Sequence, residues 1–247
     1  MSIIKLTIFQ KNINTPITKD EKTKLASQKS EFLVLPRFFP HTESIQALVD
    51  HESYSKKYLD MILEVSEYHK GVVIGGTMLR KEKNNYIESC PIVQDVNLID
   101  YANLRSLDTV AGLKISKSES ESIHILNGVR FAILIGKDFQ NQELRQVILK
   151  EKIELIIQPE LLFLSPDDND TYQNDLKEYA SVAKELNSNI VRVSGVGTLA
   201  GKTLSGRSLH ASKEGIRWKV ADYENNNSII KTININIIEN FPSYNNY

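Results

Sequence analysis

The chain has 247 residues, 41% hydrophobic and 25% charged, with a formal net charge of -1. A chain of this size and composition buries a full core without staples, and its near-zero charge gives no overall field toward nucleic acid or an anionic membrane. One cysteine, Cys90, excludes an intramolecular disulfide and fits a cytoplasmic address, and no run approaches the roughly 18 apolar residues of a membrane helix.

The N-terminal stretch lacks a signal-peptide cleavage pattern, and Ile3–Phe9 reads as a first strand. Lys19–Lys29 is polar and compatible with a helix. Glu31–Leu35 is a compact apolar run stopped by Pro36, the mark of a buried strand. Glu43–Lys70 carries Ile45, Leu48, Tyr58, Leu59, Ile62 and Val65 at helical spacing and holds one or two helices. Val72–Ile74, ended by Gly75-Gly76, is another buried strand, and Tyr86–Val93 pairs with Val96–Ile99 across Gln94-Asp95.

The second half repeats the theme. Ile123–Leu126 and Val129–Ile135 flank Asn127-Gly128, a hairpin signal. Gln140–Lys150 is helical, Leu155–Gln158 is a strand ended by Pro159, and Thr171–Leu186 has a helical apolar face. Ile190–Val193, Ser208–Ala211, Ile216–Val220 and Ile229–Ile237 follow as strands. Strands alternating with helices indicate an α/β fold. No linker rich in Pro, Gly or Ser divides the chain, so residues 1–238 form a single domain and 239–247 a loose tail.

Four stretches, in order, resemble the nitrilase or carbon–nitrogen hydrolase superfamily. Glu31-Phe-Leu-Val-Leu-Pro-Arg37 is similar to the strand that ends in Pro-Glu, and Tyr101-Ala-Asn103-Leu-Arg105 to the Tyr-Arg-Lys segment. Gly128 through Gly136-Lys137-Asp138 is similar to the strand ending in Cys-x-Asp, and Ser194–Gly197 through Gly206-Arg-Ser208 to the late Gly-rich stretch. The resemblance implies an α-β-β-α sandwich and a homodimer formed through the helix Gln140–Lys150, with Leu144, Val147, Ile148 and Leu149 available to pack.

That family's chemistry passes through a thioester: a Cys attacks, a Glu moves protons and a Lys stabilises the developing negative charge. Arg37, Asn103 and Gly136 stand at these positions. Gly136 has no nucleophile, Arg37 stays protonated and cannot be a base, and Asn103 carries no charge. The resemblance therefore implies a catalytically impaired protein, a pseudoenzyme that binds a small anionic ligand or a protein partner and needs no cofactor. The alternative is an amidase-like hydrolase with displaced catalytic groups.

Other candidates are weak. Cys90 lies within an expected strand, where a small buried apolar role is the default. Ser208 and His210 share a strand face, too far apart by spacing alone for a direct hydrogen bond. The histidines His41, His51, His69, His124 and His210 show no metal-ligand spacing. Gly195–Thr203 resembles a P-loop but lacks a glycine and a following helix, so it reads as a flexible loop at the pocket rim. Around the old pocket should stand Arg37, Lys137, Asp138 and Glu160. Losing a carboxylate and a thiol while gaining a guanidinium makes that site more positive, fit for a carboxylate or phosphate; alternatively Arg37 pairs internally with Asp138 or Glu160 and plugs the cavity. Gly136→Cys alone should place a readily alkylated thiol beside Arg37.

Overall fold

The computed structural model describes residues 2–41, 55–119, 123–164 and 168–237. The first part of the helical stretch expected from residue 43, and the tail expected from 239, lie outside the described residues. In chain order the first half holds β1 (Ser2–Gln10), α1 (Lys19–Gln28), β2 (Phe32–Val34), α2 (Ser55–Tyr68), β3 (Val72–Ile74), β4 (Met78–Glu82), β5 (Asn85–Gln94), β6 (Asn97–Asn103), β7 (Asp108–Val110) and β8 (Leu113–Ile115). The second half holds β9 (Ile123–Leu126), β10 (Val129–Ile133), α3 (Gln142–Lys150), β11 (Leu155–Glu160), α4 (Asp168–Leu186), β12 (Asn189–Ser194), β13 (Gly197–Leu199), β14 (Lys202–Leu204), β15 (Leu209–Ser212), β16 (Gly215–Lys219) and β17 (Ile229–Ile237).

Two sheets form the centre. One runs β17-β1-β2-β3-β5-β4, with β6 also on β5; the other runs β16-β15-β12-β11-β10-β9. In each, the strands β1-β2-β3 and β10-β11-β12 pair in parallel, and antiparallel strands extend the edges. The pattern of side chains explains the layering. Along β10 and the residues after it, Phe131, Ile133 and Ile135 join the core between the sheets, while Ala132 and Leu134 join a second core under α3 and α4. β11 and β12 divide in the same way: Leu155, Ile157, Val191 and Val193 face the other sheet, Ile156 and Ile190 face the helices. A strand that is apolar at every position is one buried on both faces. Phe32 and Phe131 meet edge-on across the sheets, ring centres 5.2 Å apart. On the outer side of the first sheet, Leu25 of α1 and Ile62 and Val65 of α2 complete the core. The arrangement is the expected α-β-β-α sandwich.

Local chemistry sets the boundaries. Thr18 and Glu21 form a reciprocal cap on α1: the Glu21 amide donates to Thr18 Oγ1 at 3.2 Å and the Thr18 amide to Glu21 Oε2 at 2.7 Å. The turn between β9 and β10 has Asn127 and Gly128 both at positive φ, 50° and 75°, the backbone that two-residue hairpins favour.

Three expectations are corrected. Gly195–Thr203 is not a flexible loop: most of it forms the β13–β14 hairpin, turning at Ala200 and Gly201. Pro159 does not end its strand; β11 continues to Glu160 against β12, and pairing with β10 has already stopped at Ile157, so fewer ladder donors are needed there. The helix expected from Gln140 begins at Gln142, after a 3-10 turn over Gly136–Gln140 and a cap in which Asn141 Oδ1 accepts from the Glu143 amide at 3.0 Å.

The loop after β2 is fixed tightly. A Cβ at Gly76 would lie 2.0 Å from the Phe39 carbonyl oxygen and 2.8 Å from that of Pro36. No side chain fits without moving the backbone that carries Arg37. Gly76→Ala is therefore expected to lower stability by about 1–3 kcal/mol, in the range of overpacked sites, with urea unfolding as the measurement.

Candidate functional site

Arg37 follows β2, Gly136 follows β10, and Glu160 ends β11, so all three sit at the carboxyl ends of parallel strands. Arg37 is 3% exposed, and its guanidinium lies directly against Gly136: a Cβ built on Gly136 would be 2.4 Å from Nη1 and 2.7 Å from Cζ. Gly136 also has φ +49°, which penalises residues with a side chain. The two positions are thus complementary in shape.

Three carboxylates hold the guanidinium. Glu88, fully buried on β5, takes it in a bidentate grip, Nε to Oε1 and Nη2 to Oε2, both 2.7 Å. Asp108, at the start of β7, accepts from Nη2 at 2.8 Å, and Glu160 Oε1 lies 3.6 Å from Nη1. Thr77 locks the group to the backbone: its hydroxyl donates to Glu88 Oε1 at 2.6 Å and accepts from the Phe38 amide at 3.0 Å. Burial opposes the charge on Arg37, but Glu88, Glu160 and Asp108 together outweigh it and hold its pKa above the ordinary arginine value. Burial raises the Glu160 carboxyl, and Arg37 only partly offsets that. Among the described residues, the buried cation of this cluster thus faces three carboxylates, which offset its charge.

A cavity of about 280 Å³ opens beside this cluster, lined by Arg37, Asp108, Gly136, Lys137, Glu160 and Phe163 among others. Arg37, Lys137 and Glu160 are thus brought together as expected. Lys137 stands exposed at the rim. Asp138 is not in this cavity. It is fully buried and turned toward the backbone, accepting from the Arg105 amide at 3.0 and 3.1 Å and from the Ile135 amide at 3.3 Å. Burial pushes its carboxyl up to about 6, against the pull of those amide donors. Asp138 therefore joins Arg105, beside the Asn103 segment, to the turn at Gly136, and no ion pair links it to Arg37 among the described residues. Asn103 ends β6 and meets Ser89 across the strands, Oγ to Oδ1 at 2.5 Å; it does not line the cavity.

Glu88, Asp108 and Thr77 lie outside the motifs of the sequence. Glu88 alone left a trace, an acid inside the uniformly buried run Ile87–Val93. The remaining nucleophile candidates are occupied elsewhere. Cys90 donates to the Gly75 carbonyl at 3.0 Å, and burial followed by the nearby Glu88 raises its thiol pKa well above the usual range. Ser208 donates to Gln10 Oε1 at 2.9 Å, whereas His210 Nε2 meets Asn189 Oδ1 at 3.1 Å, so the two do not pair. Burial lowers His41, His69 and His210 to about 4, leaving them neutral at pH 7. No group of metal-binding side chains occurs among the described residues.

The contact between Arg37 and Gly136 also revises the thiol experiment: a Cys at 136 would collide with a clamped guanidinium. Arg37→Met should cost about 3–5 kcal/mol by stranding buried carboxylates, and Gly136→Ala about 1–3 kcal/mol. In the double variant the alanine should cost about 1 kcal/mol less, because the group it strikes is gone. Urea unfolding of the four proteins measures this coupling, and strict additivity would contradict the contact.

The sequence matches no family model and no curated protein. Solved structures do match the fold. A carbon-nitrogen hydrolase from Helicobacter pylori G27 superposes with a TM-score of 0.80 at 14% identity, over 95% of this chain and 90% of that one. Nit3 of Saccharomyces cerevisiae, a member of branch 10 of the nitrilase superfamily, gives 0.72 at 16%, over 94% and 89%. The glutamine-dependent NAD+ synthetase of Acinetobacter baumannii gives 0.76 at 13%, over 95% of this chain and 46% of that one, so the chain spans about half of that enzyme. At such identities the likeness is one of fold: the chain has the fold of these carbon–nitrogen hydrolase and nitrilase-superfamily structures.

Proposed function

We propose that this chain is a nitrilase-fold pseudoenzyme, a binding protein that does not hydrolyse carbon–nitrogen bonds. The observation that carries the reading is the seat of Arg37. By the sequence resemblance, Gly136 stands where the family keeps its cysteine, and the Arg37 guanidinium occupies the space a side chain there would need. The group filling that space is a permanent cation clamped by Glu88 and Asp108, with no capacity to attack a carbonyl or to take a proton.

The same geometry favours the plug over the anion site. An incoming carboxylate would have to compete with three carboxylates already around Arg37 and approach past their charge. A hydrolase with relocated groups is the competing reading. The partners of Cys90 and Ser208 argue against it, since neither has a base beside it in the arrangement nucleophilic catalysis requires. We also read the protein as a homodimer formed through α3. One face of that helix, Leu144 and Ile148, is buried in the core, while Val147 and Leu149 stay 39% and 42% exposed.

A panel of short aliphatic amides and nitriles should show no turnover above the uncatalysed rate. Turnover that Cys90→Ala or Ser208→Ala abolishes would overturn the reading. The variant combining Arg37→Glu, Asn103→Lys and Gly136→Cys relieves the clash as it restores three groups; it should form at most a thioester with an activated ester, because the Asn103 side chain lies outside the cavity. In sedimentation the parent should run as a dimer at micromolar concentration, and Val147→Glu with Leu149→Glu as a monomer.

A further inference from the structure

Another cavity, of about 330 Å³, lies at the opposite end of the second sheet from Arg37. Glu160 stands at the carboxyl end of β11, whereas this cavity is formed at the amino ends of the strands, by Glu154 before β11 and by Asn187 and Asn189 around the start of β12. Asn234 and Asn236 of β17 close it from the first sheet. The frame is held by short backbone ties: Ser188 Oγ donates to the Ile153 carbonyl at 2.6 Å and the Asn189 amide to the Glu154 carbonyl at 2.8 Å.

Asn189 sets the polarity of the inner end. Its Nδ2 donates to the carbonyls of Glu154 and Asn236, at 3.3 and 3.2 Å, so its Oδ1 is the acceptor that meets His210 Nε2 at 3.1 Å. Burial, and then the nearby Arg217, keep His210 neutral at pH 7. Its one ring proton therefore sits on Nε2, and Nδ1 is a bare acceptor. Nδ1 has no hydrogen-bond partner among the described residues, and His210, itself only 5% exposed, lines the cavity. A buried acceptor is ordinarily paired, so this one calls for a donor.

The remaining walls narrow what brings that donor. Every side chain that lines the cavity among the described residues is polar or charged. The acids Glu154 and Glu214 equal the bases Lys213 and Arg217 in number, so net charge favours neither an anion nor a cation. The carboxamides of Asn187, Asn234 and Asn236 each offer donors and an acceptor.

We propose that this cavity binds a neutral polyhydroxylated ligand of monosaccharide size, with one hydroxyl donating to His210 Nδ1 and others meeting the asparagine carboxamides and Arg217. A hydroxyl both donates and accepts, which suits walls of mixed polarity that offer no apolar contact. The volume lies at the lower end of the range for small-molecule sites. The cavity shares no lining residue with the one beside Arg37, so binding here stands apart from the loss of hydrolysis: one is read by titration, the other by turnover.

Calorimetric titration of the full chain with D-glucose, D-galactose, D-mannose and D-ribose tests it, with glucuronate and glucosamine as charged counterparts. At least one aldose should bind with a Kd below ~10 mM, and neither charged sugar should bind tighter than the best aldose. Asn236→Ala combined with Arg217→Ala changes two exposed residues. That variant should melt close to the parent, yet lose ~fivefold or more in aldose affinity; His210→Phe, which removes the acceptor, should abolish binding. Nitrogen NMR of the parent at pH 7 should show His210 as the Nε2-protonated neutral tautomer, with the Nδ1 resonance moving when the aldose binds. No binding of any aldose, tighter binding of glucuronate or glucosamine than of every aldose, unchanged affinity in the folded Asn236/Arg217 variant, or a His210 protonated on Nδ1 would each overturn the proposal.

Discussion

A guanidinium buried at the centre of a protein sets conditions on everything around it. Arg37 cannot shed its charge, so desolvating it is tolerable only if carboxylates meet its donors with good geometry. The chain supplies them from separated elements: Glu88 from β5 of the first sheet, Glu160 from β11 of the second, and Asp108 from the short β7–β8 hairpin. One side chain thereby ties both sheets and a connecting segment together. Gly136 follows from the same constraint, since the guanidinium fills the space its side chain would need, and so does Thr77, whose hydroxyl joins Glu88 to the backbone beside Arg37. Three acids surround one base, and the Glu160 carboxyl is raised chiefly by its burial, with Asp108 adding the smallest contribution.

The sandwich was legible in the sequence because its strands are short apolar runs with clear stops. Val72–Ile74 and Ile229–Ile237 coincide with the structure, and the Asn127-Gly128 turn falls where its backbone preference puts it. β4 has no such signature, since Arg80-Lys81-Glu82 at its outer end carries no apolar alternation; Met78 and Leu79 alone are buried in it. That Arg37 and Gly136 share a site followed from the order of motifs. Their direct contact did not, because only three-dimensional packing brings residues a hundred positions apart together.

The electrostatics were the least legible part. The motif positions include neither Glu88 nor Asp108, the acids that bond Arg37: Glu88 is 51 positions from it and Asp108 is 71. Asp138 misled in the opposite way. Its place next to Gly136 suggested an ion pair, yet the 3-10 turn rotates its carboxyl onto the amides of Arg105 and Ile135. Neighbourhood in sequence fixes where a backbone goes, and the turn type then decides which way a side chain points.

The Arg37 cluster is not an independent piece of the protein. Glu160, which faces Arg37, accepts from Gln158 Nε2 at 2.9 Å; Gln158 in turn accepts from the Tyr179 hydroxyl at 2.6 Å. Arg192 lies over the Tyr179 ring at 4.5 Å and grips the carbonyl of Arg207. This polar chain runs from the Arg37 cluster, through the second sheet and α4, to the backbone at Arg207. Every link is buried or nearly so, and in such surroundings a hydrogen bond is strong when made and costly when broken. Through Glu160, Gln158, Tyr179 and Arg192 the Arg37 cluster is thus joined to α4 and the second sheet in one buried network, so a change at Arg37 is felt beyond its own strand end.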